Sequence, residues 1–387
     1  MDRSYLDWNA TAPLRPAARA ALARALEGTG NPSSVHGEGR TARRLIESAR
    51  QSVAALVGAE PGNVVFTSGG TEANMLALTP HLQVGPERAP RDRLLVSAIE
   101  HPSVGCGGRF AAEAVSRIAV SASGALDLGD LQAQLSGAVR PLVSIMLANN
   151  ETGVLQPVRA AAEIVHAAGG ILHVDAVQAA GRMAVDITAL GADLMTLSAH
   201  KIGGPQGVGA LLRRDQSLHF PDPLLKGGGQ ERGLRAGTEN VAAIAGFGAA
   251  AAELRAQVAA EIVHLSGLRD RLEAGLRAIA PETVIFGADA ARVPNTTLFA
   301  LAGIKAETAL IALDLAGIAV SSGSACSSGK VAPSHVLAAM GVAPELARGA
   351  IRISTGYGST AADIDRFLQA WRRQVESLLK GQHVMAA

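Results

Sequence analysis

Six short runs, apolar nearly throughout rather than at every second position, constrain the fold of this chain most tightly. They are Val64-Val65-Phe66, Arg93 to Ser97, Val143 to Ala148, Ile171 to Asp175, Leu194 to Ser198 and Gly209 to Leu212. A strand with water on one face alternates apolar and polar residues, whereas a strand covered on both faces has no reason to. Between two of these runs, Val158 to Ala168 has the spacing of a crossover helix, and Gly169-Gly170 ends it. The pattern is α/β, with a mainly parallel sheet flanked by helices.

Beyond Asn240 the pattern changes. No proline interrupts Asn240 to Ala280, and its apolar residues recur at helical spacing, so a long or broken helix bridges to a second unit. Asn295 to Leu301, Ile318 to Ser321 and Ala350 to Ser354 then read as strands, and Ala306 to Leu315 as a helix. Ile364, Leu368, Trp371, Val375 and Leu378 form one apolar face of a last helix. At 387 residues the chain is longer than one core usually occupies. The expected division is a large domain over residues 15–255 and a smaller α+β domain over 1–14 and 256–387.

The charge balance excludes several functions. With 35 basic and 34 acidic side chains, the chain lacks the basic excess that nucleic acid or an anionic membrane requires. Aromatic residues make up 3%, leaving few rings on which to stack bases. The N-terminal residues have no apolar core of a secretory signal, and the most apolar stretch, Val241 to Ala252, is about half a bilayer span. A cytoplasmic chain with reduced thiols is expected. Two cysteines, Cys106 and Cys326, cannot build a disulfide framework, and no tightly spaced Cys/His cluster suggests a metal.

Five lysines make the search for a reactive amine short. Lys201 stands apart from Lys226, Lys305, Lys330 and Lys380 because it follows a buried strand and the polar step Ser198-Ala199-His200. The carboxyl end of a parallel strand is where α/β sheets place ligands. Asp175 closes the run ILHVD 26 positions earlier, about one crossover unit away, so both groups can project from one sheet edge. An acid facing a ring nitrogen and a lysine able to form a Schiff base are what a pyridoxal phosphate site needs. Gln178, one turn on, can donate to a ring substituent.

Ser68-Gly69-Gly70-Thr71-Glu72 follows a strand and opens a helix, so its backbone N–H groups can approach an anion. Such glycines more often only make a tight turn; Ser198 and His200 as further donors make a phosphate cup plausible. His101 follows the run RLLVS, and a loop histidine there is either solvated or stacked on a cofactor and able to move protons. Cys326 lies in SSGSACSSG, nine residues with no bulky side chain, as a swinging nucleophile needs. Cys106 reads as a small structural residue near the His101 loop.

Together these segments resemble the cysteine desulfurases, within them the NifS/IscS-like branch of the fold-type I pyridoxal phosphate enzymes (class V aminotransferase family). The likeness runs through Asn31 to His36 (NPSSVH), Thr67 to Asn74 (TSGGTEAN), Glu100-His101-Pro102 and Ala148 to Gly153 (ANNETG). It continues in His173 to Gln178, Ser198 to Lys201, Gly227 to Asn240, Ser321 to Gly329 and Ile351 to Ser354. Trp8-Asn9 departs from the pattern, standing where two small or polar residues are expected.

The resemblance implies pyridoxal 5'-phosphate as cofactor, with Lys201 as its Schiff-base lysine, Asp175 facing the pyridine nitrogen and Gln178 the ring hydroxyl. It implies that His101 stacks on the ring, that Asn150 lies near ring and substrate, and that Gly70, Thr71, Ser198 and His200 form the phosphate cup. Thr238 would complete this cup from the other subunit of a homodimer. Arg352 would bind the carboxylate of L-cysteine, assisted by Asn31. Cys326 would take the sulfur as a persulfide and pass it to an acceptor such as an iron-sulfur scaffold protein. Competing readings are a selenocysteine lyase of the same fold, an aminotransferase, and an inactive partner of sulfur carriers.

Overall fold

In the computed structural model, which describes residues 3–323 and 333–386 (378–386 by backbone alone), the six apolar runs lie in one sheet. Its strands are β1 (Val64–Thr67), β2 (Leu94–Ser97), β3 (Val115–Ile118), β4 (Leu142–Met146), β5 (Ile171–Asp175), β6 (Leu194–Ser198) and β7 (Gly209–Arg213). Their order is β1-β7-β6-β5-β4-β2-β3. Strands β2 through β6 run parallel, while β7 is antiparallel to both β6 and β1.

Alternate residues of each run enter two different cores. Phe66, Leu95, Val143, Leu172, Val174, Met195 and Leu212 pack on one face, and Val65, Leu94, Val96, Leu142, Ile171, Leu194 and Leu211 on the other. Both faces are covered, which is why the runs do not alternate apolar and polar residues, and the polar residues inside them, Ser144, His173 and Thr196, hydrogen-bond one another. Helices α1 (Pro16–Glu27), α2 (Gly37–Leu56), α3 (Gly70–Ala77) and α4 (Val158–Ala167) belong to these layers. The bridge is one unbroken helix, α5 (Val241–Ile279), capped by the Asn240 side chain. Among the described residues it alone is long and apolar enough to cross a membrane, and its apolar first half is buried against α1 and α2.

The second half of α5 carries Leu268, Leu272 and Leu276 into a separate core, shared with α6 (Ala306–Leu315) and α7 (Ala361–Ala386). That core backs a sheet of β8 (Val284–Ile285), β9 (Thr296–Ala300), β10 (Ser321–Ser322) and β11 (Ile351–Ser354), ordered β8-β9-β11-β10 and antiparallel throughout. The strand expected over Ile318 to Ser321 is divided. Ile318–Ala319 pairs in parallel with Ser4–Tyr5, and the chain then turns into β10. On α7, Ile364 and Trp371 are wholly buried as their spacing predicts, and Leu378 lies where only backbone is described.

Candidate active site

The parallel strands deliver their carboxyl ends to one edge, and β1, antiparallel to β7, points the same way as β6. Asp175 ends β5, Ser198 ends β6, and the loops after β1, β2 and β4 bring Gly70, His101 and Asn150 to the same edge. Here a cavity of about 300 Å³ opens. It is lined by Gly70, Thr71, His101, Asn150, Asp175, Gln178, Ser198, His200, Lys201 and Arg352, and also by Asn9, Ala10, Asn74, Ser103, Met146, Ala148 and Val177.

Lys201 Nζ donates to the backbone oxygens of Asn9 (2.6 Å) and Ala10 (2.8 Å). Asp175 is buried, as an acid closing an apolar strand must be, and it has the partners that burial requires. Its Oδ2 accepts from Asn74 Nδ2 at 2.9 Å, and its Oδ1 from the Val177 N–H at 3.0 Å. Gln178 Nε2 donates to Asn9 O at 3.0 Å, while its buried Oε1 has no protein partner among the described residues.

Gly70 opens α3, and a Cβ there would stand 3.2 Å from Val177 Cγ2 and 3.5 Å from Ser198 Cβ. At Gly209 the crowding is tighter: a Cβ would lie 2.6 Å from the carbonyl carbon of Gly69. The turn over Ser68–Gly70 is therefore seated directly on β7. Glu72 reaches back, accepting from Ser68 N–H at 2.8 Å and from Arg235 Nε at 3.0 Å.

His200 Nδ1 lies 3.3 Å from Thr11 Oγ1, and burial with Lys201 and Arg182 nearby lowers its pKa to about 4. It is neutral at pH 7. His101 Nδ1 accepts from Ser103 N–H at 3.2 Å, which leaves the proton of the neutral ring on Nε2. Burial lowers the His101 pKa, Asp175 opposing and Lys201 and His335 reinforcing the shift. Arg352 is wholly buried on β11, donating from Nη1 to Asn150 O (2.9 Å) and from Nη2 to Asp7 Oδ1 (2.8 Å). Its buried Nε has no partner among the described residues.

Two of the residues singled out from sequence are elsewhere, and a third is not among those described. Asn31 and Thr238 are exposed and do not line the cavity, and Cys326 lies outside the described residues. Cys106 is exposed rather than a buried filler, just past the short helix Pro102–Gly105. Sequence reasoning missed Asn9 and Asn74. Asn9 sits in the departing Trp8-Asn9 pair, where Trp8 packs edge-on against Tyr357 and Asn9 carries the oxygen that meets both Gln178 and Lys201. Asn74 is the last residue of TSGGTEAN, one helical turn after Gly70, and that spacing was the available signal.

These residues suit pyridoxal 5'-phosphate. The cavity offers an amine, a buried carboxylate one strand away, an unsatisfied amide oxygen, and a helix N-terminus where Gly70 leaves only tight room for a side chain beside Val177.

A family model for aminotransferase class V matches residues 4–367 of the chain. A protein of Cereibacter sphaeroides named cysteine desulfurase is 45% identical over 384 residues, covering 98% of this chain and 97% of its own. Among solved structures, a NifS-like protein from Rickettsia africae superposes with a TM-score of 0.86 at 36% identity, over 97% of this chain and 100% of that one. SspA in complex with cysteine superposes at 0.73 with 28% identity, over 92% and 100%.

Proposed function

The chain belongs to the aminotransferase class-V family, and we propose that it works there as a pyridoxal-phosphate-dependent cysteine desulfurase, taking L-cysteine to L-alanine with the sulfur captured on Cys326. The observation that carries this reading is the convergence of Lys201, Asp175 and Arg352 on one cavity, in a chain whose relatives bear that name over nearly their full length. Bound pyridoxal phosphate supplies an electron sink for the substrate Cα.

The protein's own groups do the rest. Asp175, fixed by Asn74 and the Val177 N–H, would be the partner of the ring nitrogen. Lys201 would hold the cofactor through Nζ, and its free amine is the group placed to move the Cα proton. Arg352 orients the substrate through its carboxylate. The Cys326 thiolate attacks the substrate sulfur; an S–S bond forms, the C–S bond breaks, and the electron pair returns to carbon, which takes a proton to become alanine. The persulfide is then passed to an acceptor protein.

We also propose that two copies associate, with Thr238 completing the phosphate cup of the partner subunit. Exposed Thr238, and exposed Val35 (88%) beside Asn31, are consistent with surfaces covered by a second copy. A cytoplasmic location fits the reduced thiol this chemistry needs.

The test is L-cysteine plus a thiol reductant, assaying alanine and sulfide. Wild type should release both, and Cys326→Ala should release neither above background; unchanged sulfide from that variant excludes the persulfide route. Lys201→Ala should lose the visible absorption band of the purified protein, and a normal spectrum would remove Lys201 as the anchor.

A further inference from the structure

Glu151 has no part in the chemistry above, yet it is a buried carboxyl group, 3% exposed, at the rim of the site. It sits in the tight turn after β4, where Asn149 Oδ1 accepts from the N–H groups of Glu151 and Thr152, both at 2.9 Å. Gly153 closes the turn with φ of +75°. The turn thus aims Glu151 inward, away from the substrate cavity, which it does not line.

What it meets there are both ends of one stretch of chain. Ser334 Oγ donates to Glu151 Oε2 at 2.6 Å. A Cβ on Gly323 would stand 2.9 Å from that same oxygen, so the strand end lies close against it and a side chain there would press on the carboxyl group. Gly323 follows β10, and Ser334 caps the short helix His335–Ala339. Between them in sequence lies 324–332, which carries Cys326.

We infer that Glu151 is a positioning residue for Cys326: its carboxyl group holds Ser334, where the cysteine-bearing stretch rejoins the fold, and lies against Gly323, where that stretch leaves it. This rests on the reading of Cys326 as the sulfur acceptor but not on any detail of turnover. The same group senses pH. Burial raises its pKa to about 7, against the opposing effects of the Ser334 hydrogen bond and the Arg352 charge. Among the described residues the charge facing it is that of Arg352 on β11, and His335 is turned toward Glu100 O at 2.9 Å. An ionised carboxylate accepts the Ser334 hydrogen bond more strongly than a neutral carboxyl.

The experiment compares wild type, Glu151→Gln and Gly323→Ala, each loaded with cofactor as judged by the visible band. Two rates are read by mass spectrometry: alkylation of Cys326 by iodoacetamide, and tryptic cleavage after Lys330, the one basic residue of 324–332. At pH 8 both rates should rise by about tenfold in Glu151→Gln, the factor carried by one charge-assisted hydrogen bond. At pH 6, where wild-type Glu151 is itself protonated, the ratio to wild type should fall toward one. Gly323→Ala, which crowds Oε2 but keeps the carboxyl group, should show the increase at pH 8. Ratios of one at both pH values in both variants overturn the inference. Failure of wild type to convert L-cysteine would instead overturn the functional reading, leaving these rates as measured.

Discussion

Lys201 and Asp175 stood out in the sequence because each breaks an apolar context that physical chemistry would otherwise keep apolar, and one crossover separates them. The groups that hold them were not legible in the same way. Asn74 is one of many polar residues on a helix, and only the fold brings its Nδ2 to 2.9 Å from both Asp175 Oδ2 and Ser103 Oγ. Removing it would leave Asp175 with the Val177 N–H alone at a buried site. A hydrogen bond to a charged group contributes about 1.5–3 kcal/mol, so Asn74→Ala should weaken cofactor binding by about tenfold or more. Titrating the apoprotein while following the visible band measures this, and an unchanged affinity would show that Asn74 only fills space. Asn9 was hidden for another reason: its backbone oxygen, not its side chain, meets Lys201, and no residue type advertises that.

The elements were legible where both faces of a strand are covered and illegible where one is not. Strand β3 was missed because Ser116-Arg117 lies on an edge with only Ile118 buried. The direction of β7 was likewise invisible, since Ala210, Leu211 and Leu212 are as apolar as any parallel neighbour. That direction matters: it sets the first residue of β7, rather than its last, beneath the phosphate turn. Gly209 there allows Gly69 to approach, and Gly209→Ala would put a methyl group 2.6 Å from the Gly69 carbonyl carbon and 2.8 Å from Leu197 O. Backbone atoms on both sides cannot yield cheaply, so the substitution should cost about 1–3 kcal/mol and loosen the turn. The expected result is a lowered midpoint in urea together with faster loss of the visible band on gel filtration. A destabilised variant that retains its cofactor normally would separate strand packing from the cup.

At the scale of the whole molecule, two buried groups pull the pH dependence of stability in opposite directions. His173, held neutral between Ser144 Oγ (2.8 Å) and Thr196 Oγ1 (2.9 Å), has its pKa lowered by burial to about 4. The unfolded chain takes that proton first as pH falls, so stability is fully present above about pH 6.5 and is lost on acidification toward 4. Glu151 has the reverse sign. Its folded pKa of about 7 lies above the ordinary carboxyl value, so the folded state binds the proton more tightly and stability falls as pH rises from about 4.5 to 7. Each contribution has an upper bound of about 3 kcal/mol, and between pH 4.5 and 6.5 they largely cancel. Glu151→Gln removes one side of the balance: it should match wild type near pH 5 and exceed it at pH 8, where wild type must keep a charge buried. Urea midpoints for the two proteins at both pH values give the comparison, and a difference that does not grow with pH would exclude Glu151 as a buried titrating group. Where the growth is seen, the charge that destabilises the fold at pH 8 is the one that grips Ser334 most firmly there, so stability and the placement of Cys326 are opposed through a single carboxyl group.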